Sequence, residues 1–251
     1  MDIAHSTALV TGANRGIGRA LVHALLAAGA AKVFAAARSV EKLDGLLGDG
    51  RVVAVPLDVT SERSVSALAE RAGDVTLLIN NAGVLDFGTV LETPREAFER
   101  NFGTNFYGVL SMSRSFAPVI ERNGGGAIVN ILTLVALASM PGLGVYNASK
   151  AAAWSLSQSL RAGLASRMVA VHSVFPGAVD TDMLAGVDMP KTSPADVARA
   201  IVDGVAKSVE DIFPDPMSAS IYEVWRKDHK AVEKQFAAMR AAGHHRRASA
   251  G

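Results

Sequence analysis

Short runs that are apolar almost from end to end recur along this chain, each followed by a segment with helical spacing. They are Thr7–Val10, Lys32–Ala37, Val52–Leu57, Val75–Ile79, Ala127–Ile131 and Val169–Val174. None alternates apolar with polar residues, so each expects both of its faces to be buried. Strands buried on both faces and separated by helices build a parallel sheet with helices on either side. Right-handed crossovers then give a single α/β domain, a doubly wound parallel sheet of Rossmann-like type, over residues 1–243. The intervening helices are read at Gly16–Ala28, Ser61–Ala72 and Val145–Arg167. Two more open at Thr93-Pro94 and Ser193-Pro194, where a capping residue precedes a proline. Asp211–Phe213 is a short last strand. Asp215-Pro216 then caps a helix over about 216–242, with an apolar stripe of Ile221, Trp225, Val232, Phe236 and Met239. That stripe could pack on its own domain, cover a cleft or meet a second subunit.

Composition removes several classes. Lys plus Arg number 25 against 24 Asp plus Glu, which supplies no broad basic footprint for nucleic acid or an anionic membrane. With no cysteine, disulfides, thiol catalysis and Cys-ligated zinc are excluded. His5, His23, His172 and His229 show no ligand spacing, so no metal is expected. The apolar stretch Ala127–Val145 is interrupted by Asn130, Thr133, Ser139 and Pro141, which fits a buried strand and loop better than a membrane span. A strand beginning at Ala8 leaves no room for a signal peptide, so the expected compartment is the cytosol. The basic tail 244–251 is expected to be disordered.

Ligands of such folds bind beyond the carboxyl ends of the strands. There the chain reads Thr11-Gly12-Ala13-Asn14-Arg15-Gly16-Ile17-Gly18, joining the first strand to the first helix. Glycines at this spacing allow a tight turn and close backbone approach to a pyrophosphate, with a helix N-terminus behind it. An ordinary glycine-rich turn is the alternative. The second strand ends Ala37-Arg38. An acid near this point binds a ribose 2′-hydroxyl, whereas an arginine pairs with a 2′-phosphate. Arg38, with Arg15 in the turn, therefore points to NADP; the alternative is two solvated arginines. Asp58, followed by Val59, is read either as an acceptor for the adenine amine or as a helix cap.

Tyr146-Asn147-Ala148-Ser149-Lys150 places tyrosine and lysine one helical turn apart. A lysine ammonium beside a phenol favours the phenolate and brings its pKa down from about 10, making it a usable general acid or base.

Together these residues resemble the short-chain dehydrogenase/reductase family. The resemblance runs from Thr7 to about Met183 and rests on motifs in a fixed order. These are the T-G-x-x-x-G-x-G turn, Asn80-Asn81-Ala82-Gly83, Asn105, Tyr146 with Lys150, and Pro176-Gly177. It implies that Tyr146 donates a proton to a substrate carbonyl. It further implies that Lys150 holds the nicotinamide ribose and that Asn105 anchors a proton-passing water. Asn81, Ala82 and Gly83 would line the cofactor path, and Val179 and Thr181 would bond the carboxamide. The family's usual serine, thirteen residues before the tyrosine, is Thr133 here. Threonine keeps the hydroxyl donor and adds a methyl that stiffens χ1. Ser139 is the fallback donor, and a buried hydroxyl satisfied by backbone is the alternative for Thr133.

Leu85, Leu134, Met140 and Leu143, with Met183 and Leu184 on a lid at about 183–193, suggest an apolar substrate pocket. The implied activity is an NADPH-dependent, reversible reduction of a hydrophobic ketone or aldehyde. A 3-oxoacyl thioester reductase and a non-catalytic NADP-binding regulator are the alternatives. The family resemblance implies a homodimer through the helices starting near Pro94 and Val145, with a tetramer less secure.

Overall fold

The computed structural model describes residues 1–244, with side chains described to residue 239. The basic tail expected at 244–251 lies, from residue 245 on, outside the described residues.

The strands are β1 (Thr7–Thr11), β2 (Lys32–Ala37), β3 (Val52–Pro56), β4 (Leu77–Asn80), β5 (Gly126–Ile131), β6 (Val169–Val174) and β7 (Asp211–Ile212). They form one parallel sheet in the order β3-β2-β1-β4-β5-β6-β7. The order reverses between β1 and β4, so a crevice opens there beyond the strand ends. Both faces of the sheet are buried, as the uninterrupted apolar runs require. Ala8, Val10, Val33, Ala35, Leu77, Ile79, Ala127 and Val129 face one core. Their neighbours Leu9, Phe34, Ala36, Leu78 and Ile128 face the other. This is period-2 alternation between two cores.

Helices α1 (Gly16–Ala27) and α6 (Pro194–Ala206) cover the first face through Leu21, Leu25, Val197 and Ile201. The second face is covered by α2 (Glu62–Arg71), α4 (Val109–Arg122) and α5 (Gly144–Leu164), through Val65, Leu68, Met112, Phe116 and Leu164. The helix expected from Thr93 begins one step later, as α3 (Arg95–Phe102) with Pro94 at its N-cap and no side-chain cap. Thr93 is not the cap, because its hydroxyl donates backward to the Thr89 carbonyl (2.6 Å). Between α3 and α4 the helix widens into a π segment, Gly103–Gly108, the kind of insertion that often marks a functional position.

The single helix expected over 216–242 is two, α7 (Pro216–Trp225) and α8 (His229–His244). Asp228 breaks it: its Oδ1 accepts from the N–H groups of Lys230 (3.0 Å) and Ala231 (3.2 Å) and so starts a new helix. Among the described residues no helix is long and apolar enough to cross a membrane.

Candidate active site

A cavity of about 1440 Å³ lies beyond the carboxyl ends of the strands. That exceeds the roughly 300–1,000 Å³ of a single-ligand pocket, so it has room for a cofactor and a second molecule. Gly12, Asn14, Arg15, Gly16 and Ile17 line one end. Gly12 (φ +65°) and Gly16 (φ +52°) both stand in the left-handed region, where glycine is favoured. Gly18 stands in the first turn of α1, behind the residues that line the cavity. It is a packing glycine: a β-carbon there would lie 2.2 Å from the Gly12 carbonyl oxygen and 2.5 Å from Asn81 Nδ2. Asn81 in turn holds the turn in place, its Nδ2 donating to the carbonyls of Thr11 (2.9 Å) and Gly12 (3.2 Å). The first turn of α1 has no side-chain cap and no acidic residue. Its free N–H groups and positive dipole end fit the pyrophosphate of a dinucleotide.

Arg38 lines the same cavity, as do Asp58, Val59, Ala82 and Gly83. Two further groups escaped the sequence reading: Ser39 and Lys42 also line it, Lys42 from the short helix Val40–Leu46. Lys42 falls four residues after Arg38, a spacing visible in the sequence. Arg15 is paired with Asp182 (3.1 Å), both side chains largely exposed. Asp58 is not the cap of α2; Ser61 is, accepting from Ser64 N. The hydroxyl and N–H of Thr60 hold the Asp58 carboxyl below the usual carboxylate range, and the nearby Arg38 charge adds to this.

Tyr146, Lys150 and Thr133 meet at the middle of the cavity. Both members of the Tyr146–Lys150 pair are buried, on the first turns of α5. The Lys150 ammonium sits 6.0 Å from the Tyr146 ring centre. It donates to the Ile131 carbonyl at 2.7 Å, at the end of β5. The expectation that lysine lowers the tyrosine pKa does not hold within the chain's own residues. Burial pushes the Tyr146 phenol up to about 12, and the neighbouring Thr133 hydroxyl offsets this in part. Burial also brings Lys150 down to about 8. Desolvation is the largest cause of both shifts.

Thr133 is buried and caps the turn Leu134–Ala136, its oxygen accepting from Val135 N (3.4 Å). Its hydroxyl also lies beside the Tyr146 phenol and favours the ionised form, partly offsetting burial. Ser139 is exposed and does not line the cavity, which removes it as the fallback donor: the loop carries it outward past Ala138. Asn105 lies in the π segment, fully buried and behind the cavity wall. Its Oδ1 accepts from Val84 N (3.0 Å), and its Nδ2 donates to Val84 O (2.9 Å) and Ser149 Oγ (2.9 Å). A β-carbon at Gly83 would stand 3.3 Å from Asn105 Oδ1 and 3.6 Å from Lys150 Nζ, so all three crowd one point.

Pro176, Gly177, Val179 and Thr181 line the opposite wall, with Met183 and Leu184 beyond them. Leu85, Leu134, Met140 and Leu143 complete the apolar end. Asp215 was legible only as a helix cap. It is buried, closes a capping box with Ser218, and accepts from Gly177 N at 2.8 Å. It thereby ties α7 to the Pro176-Gly177 loop. The C-terminal helices cover the cleft: Ile221 and Phe236 join Tyr146, Leu134 and Val135 in one packed cluster.

Comparison with known proteins agrees with this arrangement. The profile of the family described as short chain dehydrogenase matches residues 6–191. The sorbitol dehydrogenase of Cereibacter sphaeroides is 35% identical over 198 residues, covering 75% of this chain and 76% of that protein. The NADPH carbonyl reductase 2 of Sus scrofa is 34% identical over 203 residues, covering 80% and 81%. A short chain dehydrogenase from Burkholderia cenocepacia J2315, solved in complex with NADP, superposes with a TM-score of 0.86 at 38% identity, over 94% of this chain and 99% of that one. A relative from Burkholderia phymatum, solved with NAD, superposes with a TM-score of 0.84 at 28% identity, over 94% and 96%. With the match extending through the glycine turn, the tyrosine–lysine pair and the loop after β6, the chain belongs to the short-chain dehydrogenase/reductase family of oxidoreductases.

Proposed function

We propose that the chain is an NADPH-dependent reductase of hydrophobic ketones or aldehydes, reversible as an alcohol dehydrogenase. The observation that carries this reading is one cavity holding three things in sequence. It has a glycine turn with cations at one end, a buried Tyr146–Thr133–Lys150 centre, and an apolar chamber at the other end. Gly12, Asn14, Gly16 and Ile17 would cradle the pyrophosphate, and Arg38 with Lys42 would meet the 2′-phosphate. Pro176, Gly177, Val179 and Thr181 would hold the carboxamide end. Bound there, the cofactor supplies the hydride.

The chain's own residues supply the rest. Thr133 and Tyr146 both donate hydrogen bonds to the substrate oxygen and orient its carbonyl. Tyr146, held protonated well above neutral pH, passes its phenolic proton to that oxygen as the carbon is reduced, so carbonyl plus hydride plus proton gives the alcohol. Lys150, with a pKa of about 8, is poised to return a proton to the phenolate. Asn105 fixes Val84 and Ser149 around this centre and would anchor a proton-passing water. We place the protein in the cytosol as a homodimer through α3–α4 and α5, where Tyr107 is exposed.

The test is steady-state oxidation of NADPH and of NADH against aryl ketones, alkyl ketones and 3-oxoacyl thioesters, with Arg38→Ala alongside. The reading expects turnover of ketones with NADPH preferred, and loss of that preference in the variant. Tight NADPH binding without turnover of any carbonyl would contradict it and favour a non-catalytic NADP-binding regulator. A preference for the thioesters would reassign the substrate.

A further inference from the structure

The outer wall of the chamber comes from the two C-terminal helices. Met217 and Ile221 on α7 and Phe236 and Met239 on α8 line it. The only polar lining groups from these helices, among the described residues, are Ser220 and Gln235, and neither is charged. The backbone of this wall is fixed at several points. Asp215 accepts from Gly177 N, Trp225 Nε1 donates to the Leu137 carbonyl (3.1 Å), and Tyr222 stacks on Phe213 with ring centres 4.0 Å apart. The side chains it presents are adaptable. Of the chain's 8 methionines, Met140, Met183, Met189, Met217 and Met239 line this one cavity. Methionine is unbranched and polarizable and re-packs around differently shaped apolar partners.

We infer that the chamber takes carbonyl compounds with a bulky, uncharged, apolar body, and that Met217 and Phe236 set the upper limit of its size. This rests on the reading of the site as a carbonyl reductase. A carboxylate-bearing substrate would leave its charge unpaired against this wall, and a polyol would find only Ser220 and Gln235 there for its several hydroxyls, which is unfavourable. The methionines let several bulky shapes fit in place of a single one.

The experiment compares the wild type with Phe236→Leu and Met217→Phe. Phe236 is 2% exposed, so leucine preserves most of its packing, and the half-buried Met217 provides an independent variant if that one fails to fold. kcat/KM is measured with NADPH for acetophenone, 2-acetylnaphthalene, a tetracyclic ketone and a ketohexose. A solvatochromic naphthyl ketone is titrated separately into each protein loaded with NADP. The wild type is expected to prefer the aryl ketones over the ketohexose by at least about tenfold. Phe236→Leu is expected to raise the ratio of tetracyclic ketone to acetophenone, and Met217→Phe to lower it, each by about tenfold. A preference for the ketohexose, or a ratio moved by neither variant, would overturn the inference. If no carbonyl is turned over, the reductase reading fails by itself, and the titration still decides. Binding of the naphthyl ketone that shifts between variants sustains the chamber, and no binding refutes it.

Discussion

Lys150 should make the protein more stable as pH rises from 7.5 to 9.5, a range in which an exposed lysine of ordinary pKa contributes no change. The group is 4% exposed, and its ammonium donates to the Ile131 carbonyl. Burial brings its pKa down from 10.5 to about 8, whereas in the unfolded chain it returns to its ordinary value. Below pH 8 both states carry the proton and the penalty of burying the charge is constant. Between pH 8 and 10.5 the unfolded chain holds a proton that the folded chain has released, so stability rises with pH. A shift of about 2.5 pH units at about 1.4 kcal/mol each corresponds to roughly 3 kcal/mol over the whole window. Between pH 7.5 and 9.5 the gain is about 2 kcal/mol. Tyr146, raised by burial from 10 to about 12, works in the other direction only above pH 10. His172, lowered by burial from 6.5, matters only in the acid range. The assay is urea unfolding followed by tryptophan fluorescence at pH 7.5, 8.5 and 9.5, for the wild type and for Lys150→Met. Methionine keeps the length of the side chain without its charge, so titrations shared by both proteins cancel. The wild type should gain about 2 kcal/mol on the variant across that range. A difference that stays flat with pH would mean that Lys150 keeps an ordinary pKa. The proton reservoir beside Tyr146 would then be absent.

Three other perturbations separate the parts of the site. Thr133→Val keeps the shape but removes the hydroxyl beside Tyr146, so kcat should fall about 10²–10³-fold while Thr133→Ser retains most of it, as steady-state rates will show. Gly18→Ala would push a β-carbon into the Gly12 carbonyl and Asn81, and should cost about 1–3 kcal/mol of stability along with NADPH affinity. A thermal melt and an NADPH fluorescence titration read both effects. Asp215→Asn turns an acceptor into a donor against Gly177 N–H or Ser218, an unmet pairing worth about 1–3 kcal/mol. Its Tm should drop by about 2–4 °C per kcal/mol lost.

The sheet was legible because each strand is apolar on both faces, and the two cores then receive alternate residues of the same run, as Ala8, Leu9 and Val10 illustrate. The glycine turn and the Tyr146/Lys150 spacing were legible because both are local. What escaped the sequence was set by tertiary contacts. The π segment around Asn105 leaves no mark on capping or periodicity. The break between α7 and α8 was hidden because Ile221, Trp225, Val232 and Phe236 stay in phase across it; Asp228, a capping residue, was the available signal. Ser139 could not be placed because a loop's direction is not written in its own residues. The pKa values of Tyr146 and Lys150 depend on how deeply the whole fold buries them, which outweighs their adjacency on one helix.

Tyr146 is the proposed proton donor to a substrate carbonyl in an NADPH-dependent reduction. NADPH oxidation with 2-acetylnaphthalene, followed for the wild type and Tyr146→Phe beside an NADPH titration of each, tests it most directly. The variant should bind NADPH like the wild type and lose turnover by at least about a hundredfold, the contribution of a positioned general acid. Undiminished turnover in Tyr146→Phe would contradict it.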